Sequence, residues 1–143
     1  MEMTLGYSVV RNARKYPNKT AVICEERKRT YRELNERSNR LARALTGLGL
    51  TQGDRIAILS LNSIELMEAY LAQLKIGAIT VPLGAWGTDK EIQHQADFTG
   101  CKFLVFHPDF SPGSNESVLP FPESKIGFLS ESPRHHSRNP MKI

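Results

Sequence analysis

The chain has 143 residues, 40% of them hydrophobic, with 19 Lys or Arg against 15 Asp or Glu and a net charge of +4. That length holds one domain with a real core. No apolar run approaches the roughly 20 residues that a membrane span needs. No signal peptide is read at the start, and the two cysteines, Cys24 and Cys101, read as unpaired buried thiols of a reducing compartment, so the expected location is cytoplasmic. The first twenty residues share the Arg-containing, acid-poor composition of a mitochondrial transit peptide, but Glu2 interrupts it and the segment fits a helix. The charge is uneven, with eleven Lys or Arg and four Glu between Arg11 and Arg43. Such an excess could draw nucleic acid or anionic lipid. No nucleic-acid motif accompanies it, so a solvated helix face is the better reading.

In chain order, Leu5, Val9 and Ala13 fall on one face and predict a short amphipathic helix over 5–16, stopped by Pro17 and Asn18. Residues 20–24 are β-branched and apolar, 25–28 read as a polar turn and 29–31 as a return strand, which makes a small hairpin. Thr30 and Glu33 have capping-box spacing and open a helix. Leu34, Leu41, Ala42, Leu45 and Leu48 form its apolar stripe, with Arg32, Glu36, Arg40 and Arg43 on the wet side. Gly47, Gly49 and Gly53 end that helix. Residues 55–61 are a strand. Asn62 is placed to cap a helix over 63–76 whose core face is Leu66, Ala69, Tyr70 and Leu74, and Gly77 terminates it. The near-continuous apolar run 78–83 reads as a strand buried on both faces. Thr88 and Glu91 repeat the capping-box spacing and start a helix that ends near Gly100. Residues 102–106 are a third strand. The expected fold class is therefore α/β: a small N-terminal hairpin plus packing helix, then β-α-β-α-β units of a mostly parallel sheet with right-handed crossovers.

From His107 the composition changes, with six of the eight prolines and seven serines in the rest of the chain. Only 126–129 reads as a strand fragment, so 108–143 is expected to be a loop or disordered tail.

Candidate chemistry is sparse. The run Gly47-Leu48-Gly49-Leu50-Thr51-Gln52-Gly53 has the wrong glycine spacing for a dinucleotide fingerprint. It also follows a helix and precedes a strand, whereas a phosphate loop follows a strand and opens a helix. It reads as a helix end and turn. Gly84-Ala85-Trp86-Gly87 lies at the carboxyl end of a parallel strand, where α/β folds place ligands. Trp86 could stack on a flat ring or line a channel; the plainer reading is a connecting loop with one packed aromatic. His94, His107, His135 and His136 lack metal-ligand spacing. Ser60 and Ser63 flank a turn with no partnered His and read as caps.

Four blocks carry a family resemblance. They are Tyr16-Pro17-Asn18-Lys19-Thr20-Ala21-Val22-Ile23, the Thr30 to Ala42 block, Gly53-Asp54-Arg55-Ile56-Ala57-Ile58, and Leu74-Lys75-Ile76-Gly77-Ala78-Ile79-Thr80-Val81-Pro82-Leu83. Together and in this order they resemble the N-terminal part of AMP-forming acyl-CoA synthetases and related adenylate-forming enzymes, from about Tyr7 to Phe106. The resemblance implies a partial AMP-binding domain over 1–107. It also implies a parent reaction in which ATP activates a carboxylic acid, such as a fatty acid, to an acyl-adenylate that then passes to coenzyme A. The family's phosphate loop, adenine and ribose motifs, acyl pocket and lysine-bearing lid match no residue here. No catalytic, cofactor-binding or metal residue is therefore assigned, and ATP, Mg and coenzyme A are expected for the full-length family and not for this chain. The expectation is a truncated, frameshifted or spliced form that is inactive alone. Its uncovered sheet edge would pair with itself, a longer synthetase or another partner, with no nucleic acid and no membrane span involved.

Overall fold

The computed structural model describes residues 5–107 and the backbone of 125–128. Helix α1, Leu5–Lys15, leads into a hairpin of β1, Thr20–Cys24, and β2, Arg27–Thr30. The turn is tighter than the sequence suggests. Only Glu25 and Glu26 intervene, and Glu25 accepts a left-handed φ of 54° to make the reversal. Helix α2, Tyr31–Gly47, starts at the expected capping box: Glu33 N–H donates to Thr30 Oγ1 at 3.3 Å and Thr30 N–H donates to Glu33 Oε2 at 2.8 Å. Strand β3, Arg55–Leu59, precedes α3, Ile64–Ile76. Ser63, and not Asn62, is its N-cap, accepting from Leu66 N–H at 3.0 Å. Gly77 closes α3 with the left-handed φ of 79° that favours glycine. Strand β4, Ile79–Pro82, helix α4, Asp89–Thr99, and strand β5, Phe103–Phe106, follow; α4 carries the second expected capping box at Thr88 and Glu91.

A fourth strand, β6, Lys125–Phe128, comes from the Pro- and Ser-rich segment, one residue before the fragment the composition suggests. The rest of that segment, and its expected disorder, lie outside the described residues. The sheet order is β4-β3-β5-β6 and every pairing is parallel.

Strand alternation divides the core. Ile56, Ile58, Phe103 and Val105 face α3 and pack on Ala69 and Ala72, with Leu45 at the end of α2. Ala57, Leu59, Leu104 and Phe106 face α4 and pack on Ile92 and Ala96. Each fully buried Ile or Leu among these contributes about 2 kcal/mol. A separate cluster of Val9, Leu34 and Leu71, with Ala21 and Val22 beside it, joins α1, α2 and the hairpin to the back of α3. Helix α3 is thus covered on two sides, by the sheet and by the N-terminal layer. That explains why its buried set includes Glu65, Glu68, Leu71 and Gln73, while Leu74, expected in the core, is exposed.

Three other apolar expectations change, the first being Leu48, read on the apolar stripe of α2 and exposed. Leu5 is exposed, and Gly6 with Val9 forms the buried face of α1. A Cβ on Gly6 would stand 3.3 Å from the Leu74 carbonyl carbon and from Lys75 Cγ, so the missing side chain is what lets the two helices approach. Strand β4 is an edge, not a strand buried on both faces: Ile79 is 48% exposed. Pro82 is tolerated there because an edge strand leaves its outward N–H positions unpaired.

Candidate functional site

Parallel strands send their following loops to one edge of the sheet. Here β3 lies between β4 and β5, with α3 on one face and α4 on the other. The carboxyl ends of β3 and β5 therefore flank a topological switch point, the position where open α/β sheets hold ligands. Three loops reach this edge: 60–63 after β3, 83–88 after β4, and His107 after β5.

The first loop is structural, as expected. Ser60 Oγ donates to Leu61 O at 2.8 Å, and Ser63 caps α3. The second is held by Gly84 N–H donating to Gln95 Oε1 at 3.3 Å and Gly87 N–H donating to Gly84 O at 3.0 Å. Trp86 projects from it 89% exposed, which overturns the packed-aromatic reading. His107 N–H donates to Leu59 O at 3.0 Å and extends the sheet by one bond. His94 is exposed on α4, its ring 6.2 Å from that of Phe98, and His135 and His136 lie outside the described residues. Among the described residues no three His, Cys, Asp or Glu are grouped to hold a metal. Cys24 and Cys101 are half-buried free thiols, not fully buried ones.

The glycine-rich run also has the geometry of a helix end. Leu48 N–H donates to Ala44 O at 3.0 Å, Gly49 N–H to Thr46 O at 2.9 Å, Leu50 N–H to Leu45 O at 3.1 Å and Gly53 N–H to Gly77 O at 2.9 Å. With these donors engaged by carbonyls, the loop has no row of N–H groups for a phosphate, so the residues present do not fit a nucleotide here.

What the charged side chains do is hold helices and strands together. Arg27 makes two bonds to Glu65, at 2.6 and 2.8 Å, and Arg37 Nε donates to Glu68 at 2.6 Å, with Arg29 3.9 Å from the same carboxylate. Burial pushes the Glu65 carboxyl upward, but the Arg27 hydrogen bonds and nearby guanidinium charge outweigh this and hold it below its usual value. The same pair raises the Arg27 guanidinium. Asp54 accepts from Lys102 Nζ, and from Thr51 Oγ1 and N–H at 2.7 and 2.9 Å, which lowers its pKa to about 2. Lys75 Nζ, on the last turn of α3, sits among neutral acceptors on α2: Asn35 Oδ1 at 2.7 Å, Ser38 Oγ at 2.8 Å and Asn39 Oδ1 at 2.7 Å. Burial without a carboxylate partner brings it down to about 8.

None of these groups was singled out from the sequence, although a signal existed. Arg27 and Arg29 share one face of a strand, while Glu65 and Glu68 share one face of a helix. Two matched pairs at periods of two and three are a docking code between a hairpin and a helix.

Comparison with known proteins agrees with this geometry. The model of the AMP-binding enzyme family matches residues 9–136, so the match continues past Phe106. A fatty acid–[acyl-carrier-protein] ligase, ScoC of Streptomyces coeruleorubidus, is 31% identical over 148 aligned residues, covering 96% of this chain and 28% of the relative. A 3-hydroxybenzoate–CoA/4-hydroxybenzoate–CoA ligase of Thauera aromatica is 37% identical over 64% of this chain and 17% of its own length. Among solved structures, the N-terminal subdomain of Klebsiella oxytoca NpsA in complex with 3-hydroxyanthranilyl-AMSN superposes with a TM-score of 0.76 at 26% identity, covering 90% of this chain and 31% of that one. The chain thus spans less than a third of each of these relatives. Its fold is that of part of such an N-terminal subdomain, and the chain belongs to the AMP-binding enzyme family.

Proposed function

We propose that residues 1–107 are a partial AMP-binding domain serving as scaffold, and that the chain does not form an acyl-adenylate by itself. The parent reaction is ATP-dependent activation of a carboxylic acid followed by transfer to the thiol of coenzyme A. Fatty acid and hydroxybenzoate ligases both appear among the relatives, so the acid is specified here only as a carboxylic acid. ATP, Mg and coenzyme A belong to the full-length family, and we place this chain in the cytoplasm.

The observation that carries the reading is the engagement of the polar groups. Glu65, Glu68, Asp54 and Lys75 are bound to structural partners, and the glycine-run N–H groups are bound to carbonyls. Adenylation needs charge directed at a triphosphate and at a developing acyl phosphate. The test is isotope exchange between pyrophosphate and ATP with the purified 143-residue chain. No exchange above the blank is expected across a panel of fatty and aromatic acids. Acid-dependent exchange would overturn the reading.

A second reading is favoured by surface composition: a non-catalytic module that pairs with a full-length synthetase or another partner. Trp86 and Phe98 are 89% and 84% exposed, unusual for large aromatic side chains. Stoichiometric co-purification with a synthetase chain supports it, and a clean monomer counts against it.

A further inference from the structure

We propose that the groove between β4 and the end of α4 is a self-pairing face, on which a second copy of the chain docks across a twofold axis. The groove is an open depression of about 330 Å³ lined by Arg55, Ile79, Val81, Asp97 and Phe98, among others. Ile79, Val81 and Phe98 are its apolar members, and Phe98 is 84% exposed. An aromatic ring exposed beside an apolar slot is the anchor-and-pocket arrangement on which interfaces concentrate their energy.

The charges say which partner fits. Arg55 and Asp97 are both exposed, and among the described residues neither side chain forms an ion pair. Asp97 lies in the last turn of α4, which contains no basic residue. A carboxylate there is disfavoured by the helix dipole and gains nothing from its own helix. One cation and one anion flanking a shared apolar slot form a self-complementary pattern. In an isologous contact, Arg55 of each copy meets Asp97 of the other while each Phe98 enters the opposing slot.

Edge pairing of β4 does not compete. Ile79 N–H donates inward to Asp54 O at 2.8 Å and Leu83 N–H to Ile58 O at 2.8 Å. Alternation therefore turns Thr80 and Pro82 outward, and Pro82 has no N–H to offer a new strand. With Thr80 left as the strand's one outward N–H, side chains carry most of a contact at this side of the sheet.

The proposal rests on the second reading above only in that a free surface recruits a partner; it is independent of whether the chain is catalytically silent, which pyrophosphate exchange reads separately. The test is sedimentation velocity of the full chain over rising concentration, with circular dichroism confirming that each variant is folded. The wild type is expected to dimerise. Phe98→Ser, Arg55→Asp and Asp97→Arg are each expected to raise the dissociation constant at least about tenfold, and the double exchange R55D/D97R to return it to within about threefold. Restoration by charge exchange is a result that a merely damaged surface would not give, and the Phe98 variant tests the slot independently. A wild type that stays monomeric overturns the proposal, whether or not it binds a full-length relative. So does a dimer that all three single variants leave intact, which would move the contact to another face.

Discussion

The Arg27–Glu65 pair should show a large asymmetry between its two single deletions. Glu65 is 4% exposed at its side chain, whereas Arg27 is 36% exposed. Removing the guanidinium, as Arg27→Met, leaves a buried carboxylate with its two strongest donors gone. Breaking a buried pair in this way costs about 3–5 kcal/mol, and the partial water access near Arg27 brings the expected figure to about 3 kcal/mol. Removing the acid, as Glu65→Leu, leaves an arginine that can turn to solvent, at a cost of about 1 kcal/mol. The double variant replaces the pair by apolar contact and should lie within about 1 kcal/mol of the wild type, giving a coupling of roughly 3 kcal/mol. Urea unfolding at pH 7 measures all four corners. The pH dependence adds a second readout. Glu65 is held below its usual carboxyl value when folded, so its contribution is present above the unfolded value of 4.5 and is lost as pH falls through the lower folded value. In Arg27→Met the orphaned carboxyl can take up a proton, so the penalty of that variant should shrink between pH 7 and pH 4. Equal single costs, or additivity in the double variant, would refute the reasoning.

Three further outcomes follow from local geometry. Thr30→Ala and Thr88→Ala each remove a capping box and should each cost about 1 kcal/mol of unfolding free energy in the same urea assay. Lys75 has a folded pKa of about 8 against an ordinary 10.5, so between these values the unfolded chain binds the extra proton and stability should rise with pH; the difference between wild type and Lys75→Met across that window isolates the effect. Gly77→Ala must place a side chain at a φ of 79° with its Cβ 3.0 Å from Gln52 Cγ, which should lower stability by about 1–2 kcal/mol.

Much of the fold is legible where a local rule decides. Both capping boxes and the glycine stops at Gly77 and Gly100 follow from spacing, and β5 from its apolar run. The misses share a physical origin. Helix α3 contains apolar residues around most of its circumference, so periodicity cannot tell which face meets the sheet; the N-terminal layer that covers its other side is a tertiary fact. The run 78–83 is equally apolar whether central or at an edge, and Pro82 was the available sign that it is an edge. Strand β6 is legible as the fragment at 126–129, but its place beside β5 is not, since four residues paired to an existing strand need little propensity of their own.

The legibility of the site is poorer, and for a reason that bears on function. The carboxyl edge is built by backbone turns and caps, and its rigidity comes from residues on a different layer. Cys24 Sγ approaches Asn62 O at 3.8 Å, and Arg27, three residues on, grips Glu65 in the first turn of α3. The hairpin therefore fastens both sides of the 60–63 loop, one contact before the cap at Ser63 and one after it. Loosening the hairpin should be felt first at this loop, on the carboxyl edge, and only later in the sheet, whose strands are held by two independent apolar clusters. Amide hydrogen exchange on Arg27→Met can separate the two: protection should fall at 61–66 while that of 56–59 is retained. Loss of both together would mean that the hairpin supports the whole domain and not the edge in particular.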